Sequence, residues 1–239
     1  SGAEAETLIT NNGTIIGLIA QDASGENALK TRIVNNGLWY LSAGTDAIET
    51  PASGNEFRLA TVLGTNTGNS VVNAGSMMLD PRLASHREAV TWEKAGVGVF
   101  ENSGLIDTST NARAGDWLVI TGSADPETTH AALKRAGSDL ASAAYHHLPA
   151  TAPDPNLKGE FRPAGGIFRF DINLGSDQTG YSDVLVVDNV VMEPGAKPVT
   201  IAFTNRREAL PADEVPLQKG IEVVRVMGTR SDEGAFVLG

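Results

Sequence analysis

Residues Ile9-Thr10-Asn11-Asn12-Gly13-Thr14-Ile15 decide how this chain folds, because the pattern recurs. The same order (apolar, any, Asn, any, Gly, any, apolar) reappears as Ile33-Val34-Asn35-Asn36-Gly37-Leu38-Trp39. It reappears twice more, as Val71-Val72-Asn73-Ala74-Gly75-Ser76-Met77 and Phe100-Glu101-Asn102-Ser103-Gly104-Leu105-Ile106. The flanking β-branched residues favour the extended state. Asn and Gly tolerate the positive φ that a sharp corner asks for. Each copy therefore reads as strand, turn, strand. Hairpins give the same local signal but need no near-constant period of about 20–30 residues, whereas stacked solenoid coils do. The asparagines at 11, 35, 73 and 102 lie 24, 38 and 29 residues apart. Loops on one face of a solenoid would produce that unevenness, and Gly44–Asn55 reads as such a loop. The expected fold from these repeats is all-β, a β-solenoid rather than a sandwich.

Downstream, Gly115-Asp116-Trp117-Leu118-Val119-Ile120-Thr121-Gly122 reads as a turn and a short strand. The texture then changes. Asp125-Pro126-Glu127 is a helix start, with an N-cap acid, Pro at the first helical position and a second acid at the positive end. Leu133, Ala136, Leu140, Ala144 and His147 follow at helical spacing, and Pro149, Pro153 and Pro155 give an extended return. Strands resume after Gly159. Phe168, Phe170, Ile172 and Leu174 alternate onto one face. Val184–Val187, then Val199, Ile201 and Phe203, then Ile221–Val226 and Ala235–Leu238 complete the β pattern. The chain divides into coils at 1–122, a helical and Pro-rich insertion at 123–158, and a closing region at 159–239. Pro211, Asp213, Glu214 and Pro216 disfavour further strand addition, as a cap or an ordinary loop would.

Five pieces of this second half occur in a recognisable order. They are Gly115–Gly122, Gly165-Gly166-Ile167-Phe168-Arg169-Phe170, Ser182-Asp183-Val184-Leu185-Val186-Val187, Gly220-Ile221-Glu222-Val223-Val224-Arg225-Val226 and Ala235-Phe236-Val237-Leu238. Together, over about 120 residues, they resemble the pertactin-like end of an autotransporter passenger. The resemblance implies a right-handed parallel β-helix carried to the bacterial cell surface by a C-terminal outer-membrane barrel that is not in this chain. It implies that 159–239 is similar to the autochaperone region, which promotes passenger folding outside the cell. Phe168, Phe170, Ile172, Leu174, Leu185 and Val187 are then the candidate folding-template core. Any adhesion, to a host surface or matrix ligand, would sit on loops or on the insertion. The family usually runs directly from the Gly-Asp strand to the Gly-Gly strand, so 123–158 is a departure.

Composition sets the exclusions. The 239 residues carry 18 Lys and Arg against 29 Asp and Glu, a net charge of −11. A nucleic-acid binder needs a basic face, and an anionic membrane surface is an equally poor partner. No apolar run approaches the roughly 20 residues of a membrane span. Ser1-Gly2-Ala3-Glu4 has neither the charged nor the apolar region of a signal peptide, which suits a passenger fragment. Cysteine is absent, which removes disulfide, thiolate and Cys-metal chemistry. The Gly-x-Ser-x-Gly, Gly-Asp-Ser-Gly, His-Glu-x-x-His and phosphate-loop motifs are also absent. His86, His130, His146 and His147 lack metal-ligand spacing. The expectation is a non-catalytic module without cofactor or metal. The alternative is a carbohydrate-active β-helix enzyme with acids converging on one face, and a trimeric tailspike-type fibre is a third reading. Asp107, Asp116, Asp171, Asp183 and Asp188 lie near strand ends, where aspartate reads first as a turn former.

Overall fold

The computed structural model describes residues 6–21, 29–42, 56–81, 89–111, 114–124, 152–174, 181–206 and 221–239. The chain winds through successive coils. The first holds β1 (Glu6–Asn11) and β2 (Thr14–Ile16), with Ala20 bridging to the next coil. The second holds β3 (Lys30–Asn35), β4 (Leu38–Leu41) and β5 (Glu56–Val62). The third holds β6 (Ser70–Asn73), β7 (Ser76–Leu79) and β8 (Ala89–Ala95). The fourth holds β9 (Val99–Asn102), β10 (Leu105–Asp107), a 3-10 turn at Ser109–Asn111 and β11 (Trp117–Ile120). The fifth holds β12 (Glu160–Pro163), β13 (Ile167–Asn173), the short β14 (Tyr181–Ser182) and β15 (Val184–Val187). The sixth holds β16 (Asn189–Val190), β17 (Val199–Asn205) and β18 (Val224–Val226), and β19 (Phe236–Leu238) lies beyond it.

Strands at the same place in each coil pair in parallel and build three sheets. The first runs β1-β3-β6-β9-β12-β16, the second β2-β4-β7-β10-β13-β17-β19 and the third β5-β8-β11-β15-β18. Only β14 pairs antiparallel among the described strands, folding back on β13. This is a parallel β-helix, and so the solenoid that the repeats predict. Among the described residues there is no α-helix. The helix expected within 125–147, the Gly44–Asn55 loop, the Pro211–Pro216 segment and all four histidines lie outside the described residues.

The Asn-x-Gly repeat forms the corner between the first and second sheets, for reasons only partly visible in the sequence. Asn11, Asn35, Asn73 and Asn102 stand in register. They point inward, at most 6% exposed. Asn11 Nδ2 donates to Asn35 Oδ1 at 2.7 Å, Asn35 to Asn73 at 2.7 Å, and Asn73 to Asn102 at 2.8 Å. Each of these three amides spends its second N–H on a carbonyl of the next coil, at Leu38, Ser76 and Leu105. The ladder satisfies buried polar groups along the axis, as a closed interior requires. It stops where Pro163 takes the next register position.

The glycines of the repeat correct an expectation. None of Gly13, Gly37, Gly75 and Gly104 has a positive φ. In the last three the hydrogen side chain is needed for another reason. A Cβ on Gly37, Gly75 or Gly104 would drive into the backbone of the glycine one coil earlier. Neighbouring strands sit only about 4.8 Å apart. At this corner the Cβ direction lies along the stack, so only glycine fits.

Inside the coils lies a single apolar column that includes Trp39, Met77, Ile106, Phe168 and Ile201. On the third sheet the outward residues are buried too. Trp117, Val119, Val184, Val186 and Met227 form a second cluster, with Leu157 packed against it. Strands buried on both faces read as unbroken apolar runs, which accounts for Trp117–Ile120 and Val184–Val187.

The ladder carries a testable energy. Asn73→Ala removes both donor bonds and leaves one N–H of the Asn35 amide without its acceptor, so it should cost roughly 3 kcal/mol. Asn11→Ala, at the ladder's end, should cost only about 1 kcal/mol. Urea unfolding of the two variants measures the difference, and equal midpoints would contradict the ladder account.

Candidate functional site

Two features stand out in coils four to six: an aromatic interior and a set of buried aspartates at the corners. The alternation of β13 turns Phe168 and Phe170 inward, 0% and 1% exposed. Their ring centroids lie 5.1 Å apart, and the Phe203 ring is 6.4 Å from that of Phe170. Ile172 follows on the same strand, and Leu185 and Val187 enter the same core from β15. On the first sheet Phe100 stacks on Phe161 at 5.8 Å, and Phe161 on Phe236 at 5.7 Å. Aromatic pairs of this geometry add about 0.5–1.5 kcal/mol each beyond their buried area.

Five of the six residues expected in the template core are thus brought together. Leu174 is not: it is 36% exposed and lies past the end of β13. The reason is local. The strand's burial alternates only as far as Phe170, then Asp171 and Ile172 are buried in succession as the chain turns into β14. Phe203 keeps the register of Phe170 on β17, yet is 50% exposed.

The aspartates expected near strand ends do more than start turns. Asp116, Asp171 and Asp183 are fully buried, and Asp107 and Asp188 are 3% exposed. Asp183 organises the corner between the second and third sheets. Its Oδ1 accepts the N–H groups of Gly115 and Asp116 at 2.9 and 3.0 Å. Its Oδ2 accepts the Asp171 N–H at 2.8 Å and the Thr108 hydroxyl at 2.6 Å. One carboxyl therefore ties coil four to coil five where neither sheet supplies acceptors. Burial, then the neighbouring charge of Asp116, push Asp183 well above the ordinary carboxyl range, while the Thr108 hydroxyl and the Asp171 and Asp116 N–H groups pull the other way. Beside it, Arg206 reaches Asp171 at 2.7 Å and the Ser109 carbonyl at 3.0 Å. Arg169 faces Asp107 at 3.3 Å.

Asp188 closes the opposite corner. Its Oδ2 accepts the Gly122 N–H at 2.8 Å, the Gly159 N–H at 2.9 Å and the Thr121 hydroxyl at 3.2 Å. Gly122 and Gly159 are the two ends of the 123–158 insertion, so the carboxylate clips its stem shut. Burial raises the Asp188 pKa, and the two glycine N–H groups oppose that shift. The return arm is anchored as well: Asp154 N–H donates to the Met227 carbonyl, and Asn189 Nδ2 to the Leu157 carbonyl.

The two corner motifs are equivalent in space. Trp117 pairs with Val184 and Ile120 with Val187, so Gly115-Asp116 and Ser182-Asp183 lie on adjacent coils. That repetition was the available signal for Asp183. None existed for Lys94, which the structure buries on β8. Among the described residues no group of three His, Asp or Glu side chains is arranged to hold a metal. No family model, curated protein or solved structure matches the chain.

Proposed function

We propose that the chain is a non-catalytic piece of an outer-membrane autotransporter passenger, serving at the bacterial cell surface as stalk and as folding template. The observation that carries this reading is the register of the resembling pieces. Gly115–Gly122, Ser182–Val187 and Ile221–Val226 supply consecutive strands of the third sheet. Gly165–Phe170 and Ala235–Leu238 supply strands of the second sheet, each paired with β17. The five short matches are thus strands of two of the three sheets, stacked in the closing coils. In such a stack each coil contacts its neighbours, so folding propagates from a formed end. A closing region with a Phe-rich interior suits the role of that first-formed end. Phe168, Phe170, Ile172, Leu185 and Val187 would supply its core.

The burial of the five aspartates also favours a structural role over the carbohydrate-active alternative. A glycosidase needs two carboxyl groups that reach a sugar and water, and these five are held in coil corners. The partner implied is an outer-membrane barrel following the passenger. A host or matrix ligand would meet the loops or the 123–158 insertion.

The test places the chain between a signal peptide and an outer-membrane barrel. Export followed by protease resistance on intact cells is expected. A version lacking 159–239 should reach the surface but stay protease-sensitive, and regain resistance when 159–239 is supplied separately. Equal resistance with and without 159–239 would overturn the template role, and retention of the intact fusion inside the cell would overturn the passenger role.

A further inference from the structure

Lys94 lies on β8 facing the interior, 1% exposed. Its register explains the placement: it pairs with Thr61 on β5 and with Ile120 on β11, both inward residues of the third sheet. Nζ donates to Thr61 Oγ1 at 2.9 Å and sits 4.1 Å from the centroid of the Trp39 ring. Thr61 Oγ1 also accepts the Ile19 N–H at 3.4 Å, and Trp39 Nε1 donates to the Gly17 carbonyl at 2.9 Å. One side chain of the third coil thus gathers groups of the second coil that themselves hold the first.

The node has no counter-charge among the described residues. Facing Lys94 are Trp39 from β4, Thr61 from β5 and Ile120 from β11, and none of them titrates in the ordinary range. A hydroxyl and an aromatic face stabilise an ammonium only in part. A buried charge without an ionic partner is costly, whereas a buried neutral amine with one hydrogen bond is not. Burial accordingly lowers the amine from 10.5 to about 7.

We propose that Lys94 is a proton-operated latch on the first three coils: the closed interior takes the neutral amine, the opened coils take the ammonium, and proton uptake drives opening. The sign follows from linkage. Between about pH 7 and pH 10.5 the opened form binds one more proton than the closed form. Each unit of falling pH in that window raises the opening constant about tenfold. Below about pH 7 both forms hold the proton and the dependence flattens. Lys158 and Lys197, the described lysines of the later coils, are exposed, so among the described residues those coils hold no such device.

The full-length chain tests the proposal in two ways. With lysine labelled at Cε, NMR from pH 5 to 11 should show one lysine with a midpoint near 7, and that signal should vanish in Lys94→Met. Limited proteolysis within the first three coils, corrected against an unfolded substrate, should slow about tenfold from pH 8 to pH 9 in the wild type. In Lys94→Met it should stay flat. A wild type with no lysine titrating below pH 9, or the same slope in both proteins, would overturn the latch. If Lys94→Met does not fold, the wild-type midpoint and slope decide the matter alone.

Discussion

Gly75→Ala is expected to leave the chain unfolded, or folded only in the coils that lie beyond the break. The added methyl would overlap the Gly37 carbonyl oxygen and lie 2.7 Å from the Asn36 carbonyl carbon and 2.8 Å from the Gly37 nitrogen. All three are backbone atoms of the preceding coil. They cannot retreat cheaply, because hydrogen bonds hold the two corners together. Ala74 and Gly75 N–H donate to the Asn35 carbonyl at 2.9 and 2.7 Å, and Ser76 N–H to the Gly37 carbonyl at 2.8 Å. Making room means breaking these bonds and the Asn35–Asn73 rung beside them. The combined cost should exceed about 4 kcal/mol, at the extreme of single substitutions. Domains of this size hold roughly 5–15 kcal/mol in all. Gly13→Ala is the matched control. It has the same motif and the same corner, but a Cβ there meets nothing within 4 Å. It should cost less than about 1 kcal/mol. Circular dichroism and urea unfolding read both variants. If Gly13→Ala proves as damaging as Gly75→Ala, the glycines are required by the turn itself and not by the stacking of coils.

That contrast shows where the sequence was informative. The Asn-x-Gly spacing located the corner between the first two sheets four times, because the corner is built from the same residues each time. It could not say why glycine was needed, since steric contact between residues 38 positions apart is invisible along the chain. The third sheet was harder. Glu56–Val62 and Ala89–Ala95 form strands β5 and β8, but their alternation puts Thr61 and Lys94 on the inward face. A charged residue at an inward position destroys the two-residue signal that marks a half-buried strand. Only the register, which pairs Thr61 with Lys94 and Lys94 with Ile120, shows where these residues face. The corner aspartates illustrate the same limit. Each was recognisable as a strand-end residue, yet the four hydrogen bonds to Asp183 come from residues as far off as Thr108 and Gly115.

Phe170→Asp should abolish the packed core of coil five. The ring is 1% exposed and sits between Phe168 and Phe203. Truncating a buried Phe costs about 3–5 kcal/mol, and a carboxylate placed there without a partner adds more. The new charge would also follow Arg169 and precede Asp171 on the strand, close to the corner that already holds buried Asp171 and Asp183. The sum exceeds about 5 kcal/mol and rivals the stability of a whole domain. Phe170→Leu keeps an apolar side chain and should cost only about 1–2 kcal/mol. In a stack where each coil rests on its neighbour, the two variants separate stability from templating. If the closing coils seed the rest, Phe170→Asp in the displayed fusion should reach the cell surface in wild-type amount and remain protease-sensitive along its whole length. If those coils are merely one more packed layer, protease should cut coils five and six and spare the Asn-ladder coils. A Phe170→Asp passenger as resistant as the wild type would remove the template role altogether.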